Sequence, residues 1–338
     1  MRAIDIERTA YPQLKGDITD RELIERYTLE PAELSLIRDY RGDQLSLAVR
    51  MKLFQHLLNH DLPVEDVPQK IVDYIISQLQ IQPLHPLLET RGSRYEHTVI
   101  IRGYTGFSPF SATEQESIGT WLLEEAERQS HLIDLVNEAI FHLEEIRIEL
   151  PAFQHLVRLT ASALHEADKR QSKLLDRSMS AELKHKLDAL LQSENRYQRT
   201  PFYELKEPPE NPSASAIIKE AQLLKRLRSF NISFDVLEQI NNDKLKHFSE
   251  IAKSYKSNEL YDLVPETRHP ILLCFICTRI KEVTDNIVEL LFRLWNKITR
   301  NADRVQDEYV LKKDEFQRES GDLSEQFLEI VVESNSKD

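Results

Sequence analysis

The hydrophobic positions recur along this chain at helical spacing. Thr19-Asp20-Arg21-Glu22 places a carboxylate three residues after a hydroxyl, the spacing of a capping box, and Leu23, Ile24 and Tyr27 follow as an apolar stripe. Glu30-Pro31-Ala32-Glu33 opens a second helix with proline at its first position, continued by Leu34, Leu36 and Ile37. Gly42 ends that helix. A third is expected from Gln44 to Asn59, where Leu45, Ala48, Val49, Leu53, Leu57 and Leu58 share helical spacing. Three short helices with tight turns resemble a helix-turn-helix unit.

Pro63 and Pro68 mark the next junction, and Pro68 to Leu79 reads as a helix. Pro83 and Pro86 break the chain again. Thr98-Val99-Ile100-Ile101 has strand-like composition, but the flanking charges at helical spacing favour helix within Leu84 to Phe110. Ser111-Ala112-Thr113-Glu114 is a second capping box, starting a helix through Trp121 to Ser130. Helices are expected over His131 to Glu145, from Leu150-Pro151 to about Arg177, and over Ala181 to Leu191. Asn195 to Ser215, with Pro201, Pro208, Pro209 and Pro212, reads as a linker. Further helices are Ser213 to Ser229, Phe234 to Ile240, Leu245 to Tyr255, and a long stretch from Pro265 to about Ser320, interrupted or kinked near Pro270. A last segment, Leu323 to Val332, precedes a polar tail. The fold class is therefore all-α and multi-helical. Its divisions are a helix-turn-helix-like unit (1–62), a second helical unit (63–112), a helical bundle (113–194), the Pro-rich linker (195–215) and a helical spacer or assembly region (216–338).

Composition supports this class. Glycine is only 7 of 338 residues, too few for the turns of a β-rich or Rossmann fold or for a phosphate-cradling loop. The net charge is −13, and residues 1–110, 111–210 and 211–338 are each acidic, which weighs against a generic polyanion binder. An acidic protein can still grip DNA if its cations lie on one face. Met1 to Ala10 lacks the apolar core of a signal peptide. The apolar run Ile271 to Cys277 is far short of the roughly 18 residues a membrane span needs, so a cytoplasmic protein with no membrane contact is expected.

No catalytic constellation emerges. Cys274-x-x-Cys277 has redox or zinc spacing, but no second ligand pair accompanies it and it lies in the most apolar helix, so a core role is preferred. His165-Glu166 begins like a metalloprotease motif, yet Lys169 and Arg170 stand where the second histidine belongs. Glu124-Glu125 and Glu144-Glu145 are adjacent pairs that diverge by about 100° on a helix and read as solvated faces. Neither a metal nor another cofactor is expected. Arg91, Arg94, His97, Arg102 and Tyr104 fall within 14 residues, types that contact phosphates and, for arginine, guanine edges. Arg41, Arg50 and Lys52, with Arg38, form a similar set around the third helix. The alternative for both sets is ion pairing, to Glu89 and Glu96 or to Asp39 and Asp43.

A series of short motifs gives these sets a context. Leu29-x-Pro31-x-x-Leu34 is followed by Arg41-Gly42 and Leu45-x-x-Ala48, then by Val67-Pro68 with Val72-x-Tyr74. Next comes Arg94-x-x-His97-x-x-x-Ile101-x-x-Tyr104-x-Gly106-Phe107-x-x-Phe110. Leu150-Pro151 with Leu156, Pro212-Ser213 before Leu224 and Leu227, and Val264-Pro265-Glu266-x-Arg268 with Asp285 complete it. In that order, from about residue 18 to 315, the chain resembles the N-terminal part of the transposases of the Tn-three family, which move replicative transposons in bacteria. The family often carries a second basic residue beside Arg-Gly; here Tyr40 to Ala48 holds less positive charge.

The resemblance implies an N-terminal region that binds the terminal inverted repeats of a transposon as double-stranded DNA. Its contacts would come from Arg41, Arg50, Lys52, Arg91, Arg94, His97, Arg102 and Tyr104. Strand cleavage and joining in the family belong to an RNase H-type domain with an Asp-Asp-Glu set and magnesium, expected beyond Asp338. This chain is thus expected not to be an enzyme by itself and to work on the nucleoid, as a homodimer or with a full-length transposase. The alternative is a helical interaction protein that represses transposition without chemistry of its own.

Overall fold

A computed structural model describes residues 5–82, 87, 90–192, 199–233, 236, 238 and 240–335. The protein is all-α. Among the described residues there is no strand, and one isolated bridge pairs Ser108 with Ile148. The chain divides into two compact units, residues 1–174 with 240–247, and residues 175–239 with 248–338.

The first unit begins with α1 (Asp20–Tyr27), α2 (Pro31–Asp39), α3 (Gln44–Leu57), α4 (Gln69–Leu79) and α5 (Arg91–Thr105). The capping box of α1 forms: Glu22 N donates to Thr19 Oγ1 at 3.2 Å, and Thr19 N donates to Glu22 Oε2 at 3.0 Å. Asp43 caps α3 by accepting from Leu45 N at 3.1 Å and Ser46 N at 3.2 Å, so it serves the helix terminus rather than a neighbouring arginine. From Leu45 to Phe54 every residue of α3 is buried. A helix closed off all round is a central helix, and α1, α2, α4 and α5 pack around it. Residues 1–62 and 63–112 therefore share one core: Ile71, Val72 and Ile75 of α4 and Ile101 of α5 join Leu23, Tyr27, Ile37 and Phe54. The strand-like run at Thr98 is part of α5.

A second core in the same unit joins α6 (Ala112–Arg128), α7 (Leu132–Glu145) and the first part of α8 (Phe153–Ser178), through Leu122, Leu135, Ala139, Leu143 and Leu156. Tyr11 closes it: its ring meets Phe153 edge-on and its hydroxyl donates to Pro151 O at 2.8 Å.

The second unit holds the last residues of α8, then α9 (Ala181–Ala189), α10 (Pro201–Leu205), α11 (Ala214–Arg228), the latter part of α12 (Asn242–Ser254), α13 (Ser257–Tyr261) and α14 (Pro265–Asn335). The Pro-rich stretch departs from a free linker. Pro201 starts α10, whose Phe202 and Leu205 are buried, and Phe202 meets Phe275 with ring centroids 5.0 Å apart. Lys206 Nζ donates to Lys253 O at 3.1 Å and to Tyr255 O at 2.6 Å. Residues 195–198 of that stretch lie outside the described residues, as do Pro83, Leu84, Pro86 and Glu89, most of the helix expected over Phe234 to Ile240, and 336–338 of the tail.

The long helix also departs from expectation. α14 is continuous through Pro270 and Gly321 to Asn335. Pro270 removes a single backbone bond, the one its N–H would give to Glu266, in the second turn. The apolar run Ile271 to Cys277 that follows is buried and fixes the helix by packing.

A polar staple joins α8, α9 and α14 in this unit. His269, 5% exposed, places Nδ1 3.1 Å from Asp176 Oδ1 and Nε2 3.1 Å from Asp188 Oδ1. Lys184 reaches Asp176 at 2.7 Å and Arg268 reaches Asp188 at 2.9 Å. Burial alone would raise the Asp176 carboxyl, but hydrogen bonds and charge from Lys184 and His269 outweigh it and hold the carboxyl below its ordinary 3.8. A depressed carboxylate contributes stability that is complete above its unfolded value and lost as pH falls through the folded one. Thermal unfolding followed by circular dichroism should therefore show the second unit losing stability below about pH 4, and Asp176→Asn should remove part of that acid dependence.

Candidate nucleic-acid interface

The residues expected to touch DNA divide into an interior set and a surface set. The interior set is built around the loop after α3. Leu58 takes a left-handed conformation (φ 56°) and turns the chain. The carbonyl of His60 then accepts from Arg50 Nη1 at 3.4 Å and from Arg94 Nη2. The His60 ring stacks on Phe54 at 4.5 Å, and Phe54 meets Phe107 edge-on at 5.4 Å. On its other side His60 Nε2 lies 3.4 Å from Glu149 Oε1. Arg102 grips the same carboxylate with two hydrogen bonds, Nε at 2.6 Å and Nη2 at 2.8 Å. Burial by itself raises the Glu149 carboxyl, yet the hydrogen bonds and charges of Arg102 and His60 bring it below the usual glutamate value. That hydrogen bond also raises the Arg102 guanidinium.

Arg50 is 2% exposed and His97 is fully buried, its ring 5.5 Å from Tyr40 in an edge-on contact. Tyr40 crosses over Gly42, where a Cβ would stand 2.5 Å from the tyrosine ring, and its hydroxyl donates to Glu96 Oε2 at 3.0 Å. The Arg41-Gly42 pair is thus shaped by the Tyr40 ring packing beneath it. Glu96 serves Tyr40 rather than an arginine, and Glu89 lies outside the described residues.

Lys52 is also interior. Its Nζ lies 2.6 Å from Glu33 Oε2 and 3.0 Å from Gln55 Oε1, and Gln55 Nε2 donates to Glu33 Oε1 at 2.6 Å. Glu33, 1% exposed, additionally accepts from Glu30 N at 2.8 Å at the start of α2. Two buried charges are tolerated here because the carboxylate oxygens are fully engaged. So Arg50, Lys52 and His97 do not face solvent, and Arg94 and Arg102 are tied to protein acceptors. Arg50, Arg94 and Arg102 meet backbone and carboxylate oxygens of the loop after α3 and the segment before α8, whereas Lys52 meets a carboxylate of α2.

The surface set is Arg41, on the turn between α2 and α3, Arg91, at the first position of α5 after the Thr90 cap, and Tyr104, 38% exposed. Burial and the charges of Glu33 and Glu30 raise the Tyr104 hydroxyl. Tyr104 borders a polar recess of about 390 Å³ with Glu25, Glu30, Glu33, Arg26, Lys52 and His56, three carboxylates against one arginine and one lysine. Glu149, His60, Glu33 and Gln55, which decide where the arginines and Lys52 go, were not legible as partners. Arg102 and Glu149 are 47 residues apart, and no local spacing joins them.

Among the described residues no group of three His, Cys, Asp or Glu could hold a metal ion. Cys274 and Cys277 are buried free thiols, and burial pushes Cys277 up to about 12. No helix among the described residues is long and apolar enough to cross a membrane.

The Lys52–Glu33 pair gives a direct test of the interior assignment. Lys52→Met should destabilise the first unit by about 3–5 kcal/mol in urea unfolding, because it strands a buried carboxylate, and adding Glu33→Leu should recover most of that loss.

Comparison with known proteins bears on the whole arrangement. A family described as a domain of unknown function (DUF4158) matches residues 4–163, covering the helices of the first unit up to mid-α8. The transposase for transposon Tn1546 of Enterococcus faecium is 23% identical over 308 residues, 89% of this chain and 31% of that protein. The transposase for transposon Tn501 of Pseudomonas aeruginosa is 24% identical over 83% of this chain and 29% of its own length. The transposase for transposon Tn21 of Escherichia coli is 23% identical over 87% of this chain and 30% of its own. The chain thus spans about a third or less of the curated relatives it matches. The similarity to these transposases runs through both compact units of the chain.

Proposed function

We propose that this chain is an end-recognition part of a transposase: it binds the terminal inverted repeats of a transposon as duplex DNA, while strand cleavage and joining fall to a separate catalytic domain. The observation that carries this reading is the extent of the similarity. Proteins named as transposases align with 83% to 89% of this chain through less than a third of their own length. Magnesium would serve only the catalytic domain. The place of action would be the nucleoid in the cytoplasm.

With Arg50, Lys52 and His97 inside, the buried arginine network acts as a frame rather than as a reader. It sets the relative position of α3 and α5, so that Arg41 and Arg91 project from a fixed surface with Tyr104 nearby in sequence on α5. Arginine at these positions would position the protein on phosphates, and few side chains would remain for base edges. Such an interface predicts moderate affinity with a marked salt dependence.

Fluorescence anisotropy with a terminal-repeat duplex and a scrambled duplex, across a salt series, tests this. The expected result is tighter binding to the repeat that persists at moderate salt and weakens several-fold with Arg91→Ala. Equal, weak binding to both duplexes would overturn the reading. Incubation of the repeat duplex with the chain and magnesium should leave it intact.

A second reading, a helical partner that pairs with transposase or with itself, draws on α14. Phe292, Trp295, Ile298, Tyr309 and Phe316 are all more than half exposed, at intervals of three, three, eleven and seven residues that return to one side of a helix and suit helix pairing. Sedimentation of the chain would show association under this reading, and Trp295→Asp should abolish it. A monomer across the accessible concentration range would sink it.

A further inference from the structure

The network around His60 takes up Arg50, Arg94 and Arg102, half of the arginines and lysines expected on the DNA face, while α8 carries exposed cations without ion-pair partners among the described residues. Several arginines and lysines elsewhere in the first unit are paired, among them Arg21 with Glu25, Lys70 with Asp20 and Arg128 with Glu125. Arg158, Lys169 and Lys173 are exposed on α8 and form no ion pair among the described residues, in a protein whose net charge is −13. His165 is exposed between them and is likewise without an acidic partner.

Helical geometry puts these four on one side. Positions 158, 165, 169 and 173 advance by seven, four and four residues, so each returns to nearly the same face. The opposite face is the packed one, with Leu156, Val157, Thr160 and Ala167 buried. At about 1.5 Å per residue the row is about 22 Å long, with Lys169 and Lys173 about 6 Å apart along the axis. The acids of the same helix are engaged elsewhere. Asp168 turns to Lys244 at 2.5 Å and His247 at 3.4 Å, which together hold its carboxyl low against the opposing effect of burial. Glu166, at the edge of the row, is 3.4 Å from Arg170.

We propose that this face of α8 is a phosphate-binding edge, on which Arg158, His165, Lys169 and Lys173 track the sugar–phosphate backbone of duplex DNA. The proposal rests on the end-recognition reading and adds a contact surface to it. The exposed position between Arg158 and His165 is Ser162, a hydroxyl that can also donate to a phosphate oxygen. A protein partner would need an apolar centre to bury, and from 158 to 173 the exposed face offers none. Duplex DNA presents a charge about every 1.7 Å of its axis, so a row of this length meets several phosphates whatever the base sequence. The edge therefore supplies affinity and register, not sequence preference.

The test is the triple variant Arg158→Gln/Lys169→Gln/Lys173→Gln, measured by anisotropy on the repeat and scrambled duplexes. Glutamine keeps helix propensity close to that of lysine and arginine, and an unchanged melting temperature will confirm the fold. The expected result is weaker binding to both duplexes, on the order of a hundredfold at low salt, with the log–log salt slope shallower by about 2.7. The ratio of the two affinities should not change. A variant with wild-type affinity and slope overturns the proposal while leaving end recognition standing. A wild-type chain that binds both duplexes equally, but loses that binding in the variant, overturns end recognition and keeps the phosphate edge. No binding to either duplex at low salt overturns both. Loss of poly-glutamate binding in the variant, with DNA binding intact, would assign the row to an acidic protein partner and overturn the proposal.

Discussion

The loop that follows α3 governs the first unit. Its turn is made by one left-handed residue, Leu58, and it leaves the half-buried His60 carbonyl facing the side chains of α3 and α5. Arg50 and Arg94 donate to that oxygen from two different helices, and the His60 ring couples Phe54 to Glu149. Arg102 completes the assembly by holding Glu149. Leu150 N also donates to Leu58 O at 2.8 Å, so the residues before α8 are tied to the same turn. The α3 turn, α5 and the segment leading into α8 converge there. Each arginine is costly to bury alone, and the network is tolerated because acceptors meet the charges.

This arrangement changes what a basic residue means in the chain. A cluster such as Arg94, His97 and Arg102 suggests a polyanion site when only spacing is known. In the folded protein Arg94 and Arg102 hold the loop after α3 and Glu149 in place and His97 is buried against Tyr40, and the outward cations are elsewhere. On the proposed end-recognition function, structural arginines of this kind act through the position they give to Arg41 and Arg91. They would act on affinity indirectly, and their loss would show first as loss of stability.

The second unit solves a similar problem with another device. His269 stands between two carboxylates that are themselves engaged by Lys184 and Arg268, and this staple joins the start of α14 to α8 and α9. Packing of Ile271 to Cys277 then carries the helix past Pro270. The pair Cys274 and Cys277 belongs to this packing, with both thiols inside.

The sequence by itself determined the helices. Capping residues at Thr19 and Ser111, proline at the first position of α2, and apolar residues at helical spacing all act within a few residues, and the fold class followed from them. The order of motifs from Leu29 to Arg268 was likewise enough to point to the transposase relatives. What the sequence could not decide was which side of each helix faces solvent when charges interrupt the apolar stripe. Arg50 and Lys52 sit in a helix whose every face is covered, and that coverage comes from α1, α2, α4 and α5 packing together. Continuity of α14 through Pro270 and packing of the Pro-rich stretch were also tertiary decisions, made by buried residues such as Phe202 and Phe275 far apart in the chain. A charged side chain goes inside only when a partner waits there, and Glu149 waits 47 residues from Arg102, beyond the reach of any local rule.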